Sequence, residues 1–343
     1  MRSRLLGDLT ARGFLRGYWQ KRPLLVRGAL PGFCGLVTRT ELARLAARDD
    51  VESRIVERRG GRWETGYGPF KRVLLAGKSA TLLVNGVNLH VRDVDALLQR
   101  FSFVPQARLD DVMVSYATPG GGVGPHVDHY DVFLLQGPGR RAWRVESKRF
   151  VVEPGDLLYL PPGLRHDGVA LEECFTYSIG FRAPRGGELG AAFLDWLHER
   201  GLPQAEYRDP RLAPAARPGL VPADMVSFAE KLLKRIRWSR REVERFLGEY
   251  LTEPKAHVVF TPGARPRALA RSLVRLDPRS RLLYRGARFF INGESLTLNG
   301  RARAALRELA DRRALHGARL ADARLGGLIS AWQRQGYVML EKG

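Results

Sequence analysis

The sequence predicts an α+β protein: an antiparallel β-sandwich or barrel, then a helical stretch, then a small mixed module. Three observations carry this. Between about residues 110 and 181, short apolar runs alternate with Gly and Pro turns (Pro119-Gly-Gly-Gly122, Gly137-Pro-Gly139, Glu153-Pro-Gly155, Pro161-Pro-Gly163), with no helical period between them. From Gly187 to about Pro254 the apolar residues recur at helical spacing instead. Beyond them, Asn292-Gly293 between two apolar runs marks a tight hairpin.

In chain order, Leu42, Leu45 and Ala46 suit one face of a helix, and Ala80-Thr-Leu-Leu-Val84 suits a buried strand. The run from Asp111 to Ala117 alternates, with Val112, Val114 and Tyr116 on an apolar face and Asp111, Met113 and Ser115 on a face suited to lining a cavity. Likewise Phe175, Tyr177, Ile179 and Phe181 oppose Thr176, Ser178 and Gly180, whose small side chains leave room for a ligand. Two helices follow, one through Phe193, Trp196 and Leu197, the other through Phe228, Leu232 and Ile236, with a Pro-rich link at 210–222 between them. They could cover the barrel or pair with a second copy of the chain. After the hairpin come a helix with Ala305, Leu306 and Leu309 on one face, a second from Leu328 to Gln335 and a strand from Tyr337 to Leu340, a winged-helix-like order. The expected division is therefore 1–186, 187–254 and 255–343.

Hydrophobic residues at 44% and charged ones at 27% of 343 residues exclude disorder as the main state. Fifty-seven Lys and Arg against 36 Asp and Glu leave a net charge of +21, which draws the chain toward polyanions and makes RNA or ribosome proximity an expectation. The charges are spread along the chain, so charge alone names no function. Two cysteines far apart, Cys34 and Cys174, build neither a disulfide framework nor a zinc site, and neither a signal-like h-region nor a membrane-length apolar run occurs. A cytoplasmic protein with no membrane partner is expected.

The chemistry concentrates in Gly124-Pro-His-Val-Asp-His-Tyr-Asp131. On an extended chain His126, Asp128 and Tyr130 share one side and Val127 and His129 take the other. Forty residues after His126, a Pro-Pro-Gly turn leads into His166. A strand histidine beside an aspartate is commonly a structural pair, but with a third histidine borne on a turn of the same barrel the combination points to a metal. Two imidazoles and one carboxylate leave coordination positions open, as in non-haem Fe(II) oxygenases. In Arg140-Arg-Ala-Trp-Arg-Val145, alternation turns Arg141 inward with Trp143 and Val145. A buried guanidinium needs an anion, either an internal acid or the carboxylate of a co-substrate. Asp111 is either a solvated strand end or an acid that grips a cationic substrate. His129 lies on the opposite strand face, and His90, His198, His257 and His316 have no convergent partners in the sequence.

Tyr18-Trp-Gln-Lys-Arg-Pro-Leu-Leu-Val-Arg27, Gly120-Gly-Gly-Val-Gly-Pro-His-Val-Asp128, Tyr130-Asp-Val-Phe133, Gly139-Arg-Arg141, Trp143-Arg-Val145 and the Pro-Gly-Asp segment ending in His166 together resemble the bacterial ribosomal oxygenases, JmjC-type cupin hydroxylases. The likeness is dense from about residue 14 to 185. It implies a double-stranded β-helix (jelly-roll) barrel, a helical dimerisation region forming a homodimer, and a winged-helix-like domain. It further implies Fe(II) on His126, Asp128 and His166, with 2-oxoglutarate as co-substrate on Arg141 and Ser115, and dioxygen. The implied substrate is an arginine, at its β-carbon, of the sixteenth large-subunit ribosomal protein, held by Asp111, Tyr130 and Ser178. A cupin oxygenase acting on a ribosomal histidine or methyl-lysine is the nearer alternative, and a non-catalytic RNA-binding module the farther one. The stretch 146–153 is shorter than the family pattern leads one to expect, which bears on the rim of the site rather than on the metal ligands.

Overall fold

The computed structural model describes residues 5–73, 75, 79–262 and 268–342. The strands of the first part are β1 (Leu24–Val26), β2 (Ser53–Arg59), β3 (Arg62–Tyr67), β4 (Ala80–Val84), β5 (Leu109–Ala117), β6 (His126–Val127), β7 (Val132–Gln136), β8 (Arg141–Val145), β9 (Lys148–Val152), β10 (Leu157–Leu160), β11 (Arg165–Ala170) and β12 (Cys174–Phe181). They form two antiparallel sheets, one in the order β1-β10-β7-β12-β5-β4-β2-β3 and one in the order β6-β11-β8-β9. The two sheets face each other across a common interior and make a jelly-roll barrel.

The outer face of the large sheet buries its apolar residues against helices α1 (Ala11–Gly17), α2 (Arg39–Ala46) and α3 (Arg92–Gln99). Helix α2 begins with a capping box in which Thr38 and Glu41 satisfy each other's backbone N–H, and it buries Leu42, Leu45 and Ala46. Phe14, Phe101, Phe133 and Tyr159 meet at ring separations of 4.8–4.9 Å and form the centre of this core. Every second residue of β5 and β12 (Val112, Val114, Tyr116; Tyr177, Ile179, Phe181) joins the core, so their other faces must turn into the barrel. A smaller apolar cluster of Leu134, Trp143, Val145, Val152, Leu158 and Leu160 packs between the two sheets.

Then come α4 (Gly186–Glu199), α5 (Ala223–Leu233) and α6 (Arg240–Thr252). Helix α5 stops three residues short of Ile236, which the periodicity had placed on it. The backbone N–H of Lys234 turns back to Glu230 and Leu232, and with no core contact on α5 nothing prolongs the helix. Helix α6 packs its Phe246 under Phe193 and Trp196 of α4, and Glu249 accepts hydrogen bonds from Trp196, Arg245 and Ser295 at 2.6–2.7 Å.

The last module contains strands β13 (Ser272–Leu276), β14 (Leu282–Arg285), β15 (Arg288–Ile291), β16 (Glu294–Thr297), β17 (Ala314–His316) and β18 (Val338–Lys342), with helices α7 (Gly300–Arg312), α8 (Gly317–Asp322) and α9 (Gly326–Arg334). Asn292 and Gly293 both take positive φ, 48° and 89°, as the two-residue turn between β15 and β16 requires. Ala305, Leu306 and Leu309 of α7 are buried in a core of their own with Ile329 and Trp332. The terminal strand pairs with β13, which the sequence reading had not picked out. No helix among the described residues is long and apolar enough to cross a membrane. Cys34 and Cys174 are both free thiols.

Candidate metal centre and its cavity

The two sheets enclose a cavity of about 480 Å³ between β5, β12, β7 and the short sheet. His166 is not borne on the Pro-Pro-Gly turn, as the sequence suggested, but is the second residue of β11, where it lies directly opposite His126 of β6. Facing residues of an antiparallel pair project to the same side, so the two rings lie 4.3 Å apart between centroids. The turn instead positions the third group: Gly163 N–H donates to Asp128 C=O at 2.8 Å, fastening the chain after β6 to the start of β11. Asp128 Oδ2 then lies 3.6 Å from His166 Nε2, and one ligand atom from each of the three residues lies within 4.8 Å of the other two.

The chemistry of this donor set fits a divalent metal. His126 Nδ1 donates to Gly124 C=O and His166 Nδ1 to Leu164 C=O, each at 2.9 Å. A carbonyl only accepts, so both Nδ1 atoms carry the proton and both Nε2 lone pairs are left for a ligand. Burial, foremost, holds the His166 imidazolium below its usual range, with repulsion from His126 adding to it against Leu164, Asp128 and Asp167, so the ring stays in the neutral, ligating form. Gly124 allows the loop its course: φ is +80°, and a Cβ there would sit 2.7 Å from the Trp63 ring nitrogen.

Arg141 of β8 is 4% exposed and turns inward with Trp143 and Val145, as the alternation predicted. Its Nε and Nη2 are buried without a hydrogen-bond partner, as is Thr81 Oγ1, and all three belong to residues lining the cavity. The internal acid that the sequence left open as a partner is not present among the described residues. Orphaned donors of a buried cation are what a bound carboxylate would complete. Ser115, Thr176 and Ser178 line the same space.

Asp111 and Tyr130 line the cavity, while Val127 and His129 do not. Burial first, then the nearby Asp128 carboxylate, push the Tyr130 phenol up to about 12, so it keeps its proton. Asp111 is not a solvated strand end. Burial, then neighbouring Asp110, raise its pKa against the pull of Lys255. Sequence reasoning missed Thr81, Arg54, Trp63 and Lys255 as lining residues. For Thr81 a signal existed, a hydroxyl at an alternating position within an otherwise apolar strand.

Residues 96–149 and 146–189 match the JmjC domain family, and residues 235–339 match the ROXA-like winged helix. The Escherichia coli K12 protein named ribosomal protein uL16 3-hydroxylase is 35% identical to the chain over 365 residues, spanning 96% of this chain and 97% of that one. The chain belongs to the ribosomal oxygenases. This oxygenase also matches the structure of YcfD, a ribosomal oxygenase from Escherichia coli in complex with cobalt and 2-oxoglutarate, with a TM-score of 0.82 and 34% identity over 97% of this chain and 99% of that one. A probable ribosomal oxygenase of Haemophilus influenzae is 36% identical over 203 residues, 51% of this chain and 50% of that one.

Proposed function

We propose that this oxygenase uses Fe(II), 2-oxoglutarate and dioxygen to hydroxylate an arginine of ribosomal protein uL16 at its β-carbon. The observation that carries the reading is one cavity holding, on successive walls, the His126, Asp128 and His166 donor set, the orphaned Arg141 guanidinium and the Asp111 carboxylate. The names of the E. coli relative and the ligands of its structure support the same chemistry. Bound iron supplies the oxidising chemistry at the positions that two imidazoles and a carboxylate leave open. Arg141 receives the distal carboxylate of the keto acid with Ser115 beside it, and the buried walls keep water from the reacting centre. Asp111 receives the substrate guanidinium while Tyr130 and Ser178 pack along its stem, which brings the β-carbon, rather than the charged end, toward the metal side.

The proposed organisation is a catalytic part at 1–186, a helical part at 187–254 and a winged-helix part at 255–343. Exposed Leu194, Val226 and Leu233 on α4 and α5 support the helical part as the homodimer contact. A cytoplasmic location beside ribosomes, aided by the +21 charge, completes the reading.

The test is anaerobic reconstitution with Fe(II) and 2-oxoglutarate, addition of uL16 and air, and mass spectrometry. Succinate and one added oxygen on an arginine are expected. Oxygen found on histidine alone rejects the substrate assignment.

A further inference from the structure

Lys255 lies three residues past the end of α6, in a stretch where neither helical nor strand periodicity marks it, yet its ammonium reaches into the cavity mouth. Its Nζ stands 3.3 Å from Asp111 Oδ2 and 3.3 Å from Asp110 Oδ1. Asp110 has other cations: Arg182 at 3.2 Å and Arg281 at 3.4 Å. Both arginines are also tied to the backbone, Arg281 to Leu109 and Asp110 carbonyls and Arg182 to that of Leu251. Asp111, by contrast, has Lys255 as its ion-pair partner and no second one among the described residues. Asp111 also lines the cavity, and beside its Oδ1 stands Gly180, which has no side chain to fill the space.

We propose that Lys255 is a placeholder cation, an internal ammonium that occupies the Asp111 carboxylate in the resting enzyme and is exchanged for the guanidinium of the incoming arginine. This rests on the arginine reading above. Three properties suit Lys255 to exchange. It is a single point charge on a flexible stem, it is about one-third exposed, and its contacts at 3.3 Å are longer than the 2.7–2.9 Å of a strong charge-assisted hydrogen bond. A guanidinium brings a planar fork that meets a carboxylate with two hydrogen bonds, so it displaces the ammonium while the number of charges around Asp110 and Asp111 stays the same. Lys255 thereby keeps the buried acid compensated between turnovers and sets a threshold for admission: a neutral side chain of the same length cannot take its place without leaving the carboxylate unpaired.

The experiment compares wild type with Lys255→Met, Lys255→Gln and Lys255→Arg in the full-length enzyme, reading KM and kcat for uL16. A competitor that must leave reduces the apparent affinity to the fraction of sites it leaves free. Removing the charge should therefore lower KM about three- to tenfold in Met and Gln alike, and arginine at 255, holding Asp111 with a fork of its own, should raise it. The expected order of KM is Met and Gln below Lys, and Lys below Arg. A merely structural Lys255 predicts the reverse, with the conservative Arg near wild type and Met worst, and that order overturns the proposal, as does an unchanged KM in all three. The outcome is separable from that of the underlying reading. If wild type places no oxygen on arginine the substrate assignment fails, whereas arginine hydroxylation with the wrong order of KM sinks the placeholder alone.

Discussion

Replacing Arg141 with methionine separates an anchor for a bound anion from a structural arginine, because the two roles predict opposite effects on stability. The side chain is 4% exposed with Nε and Nη2 unpaired, and its nearest compensation is the Trp143 ring, 5.8 Å from the guanidinium carbon. A cation–π contact of this kind contributes about 1 kcal/mol, less than the several kcal/mol that burial of an ion costs. Methionine fills similar space without that cost, so the enzyme free of keto acid should keep its stability or gain on the order of 1 kcal/mol. An arginine paired with an internal acid would instead cost about 3–5 kcal/mol on removal. Binding should respond in the other direction. Two charge-assisted hydrogen bonds to a carboxylate, each about 1.5–3 kcal/mol, are lost, and at least about 3 kcal/mol corresponds to more than a 100-fold rise in the KM for 2-oxoglutarate. Urea unfolding followed by circular dichroism, with and without the keto acid, and steady-state succinate formation measure the two quantities. A loss of 3 kcal/mol or more combined with an unchanged KM for 2-oxoglutarate would refute the reasoning.

Asp128→Ala removes one of the three proposed ligands and should weaken Fe(II) binding by at least about 100-fold, since even second-layer partners of a metal site contribute 10- to 100-fold. Metal titration checks this, and turnover equal to wild type would overturn the site. Tyr159→Phe leaves the fully buried Asp131 without its 2.6 Å donor and Gln20 N–H without its acceptor, so unfolding free energy should fall by about 1–3 kcal/mol. Gly248→Ala puts a Cβ 2.4 Å from the Phe290 ring. The gain in helix propensity of about 1 kcal/mol is outweighed by that overlap, and a lower thermal midpoint with α6 displaced from β15 is expected. Burial works to raise the Glu249 pKa, but hydrogen bonds from Arg245, Ser295 and Trp196 outweigh it and bring it below the ordinary carboxylate range. The unfolded chain then binds the proton more readily than the folded one, so this contribution is complete above about pH 4.3 and is lost as the pH falls through the lower folded value. Acid unfolding should be less steep in Glu249→Gln, and an identical pH profile would show that the clamp contributes nothing.

Strand alternation is a local property, and what followed from it was legible before any fold was known. It placed Arg141 inward with Trp143 and put Met113 and Ser115 on the cavity side of β5. The Asn292-Gly293 turn and the buried face of α7 were legible for the same reason, since backbone conformation and helical spacing are set within a few residues. Local reasoning failed where a partner distant in the chain decides the outcome. It continued α5 through Ile236, because periodicity cannot tell whether a core exists to receive the last turn. It put His166 on the turn rather than opposite His126, because pairing between residues forty apart is settled by the register of the closed barrel.

The amino-acid order alone thus determined which groups are candidate ligands and which are charged, and on which side of β5 and β8 the inward residues stand, since these depend on composition and a two-residue period. Only the tertiary structure decided that Arg141 meets no acid among the described residues, that three donor atoms converge within 4.8 Å, and that Lys255, 144 residues from Asp111 in the chain, lies against its carboxylate. Convergence of this kind depends on sheet register and helix docking, and those arise from the packing of the whole chain.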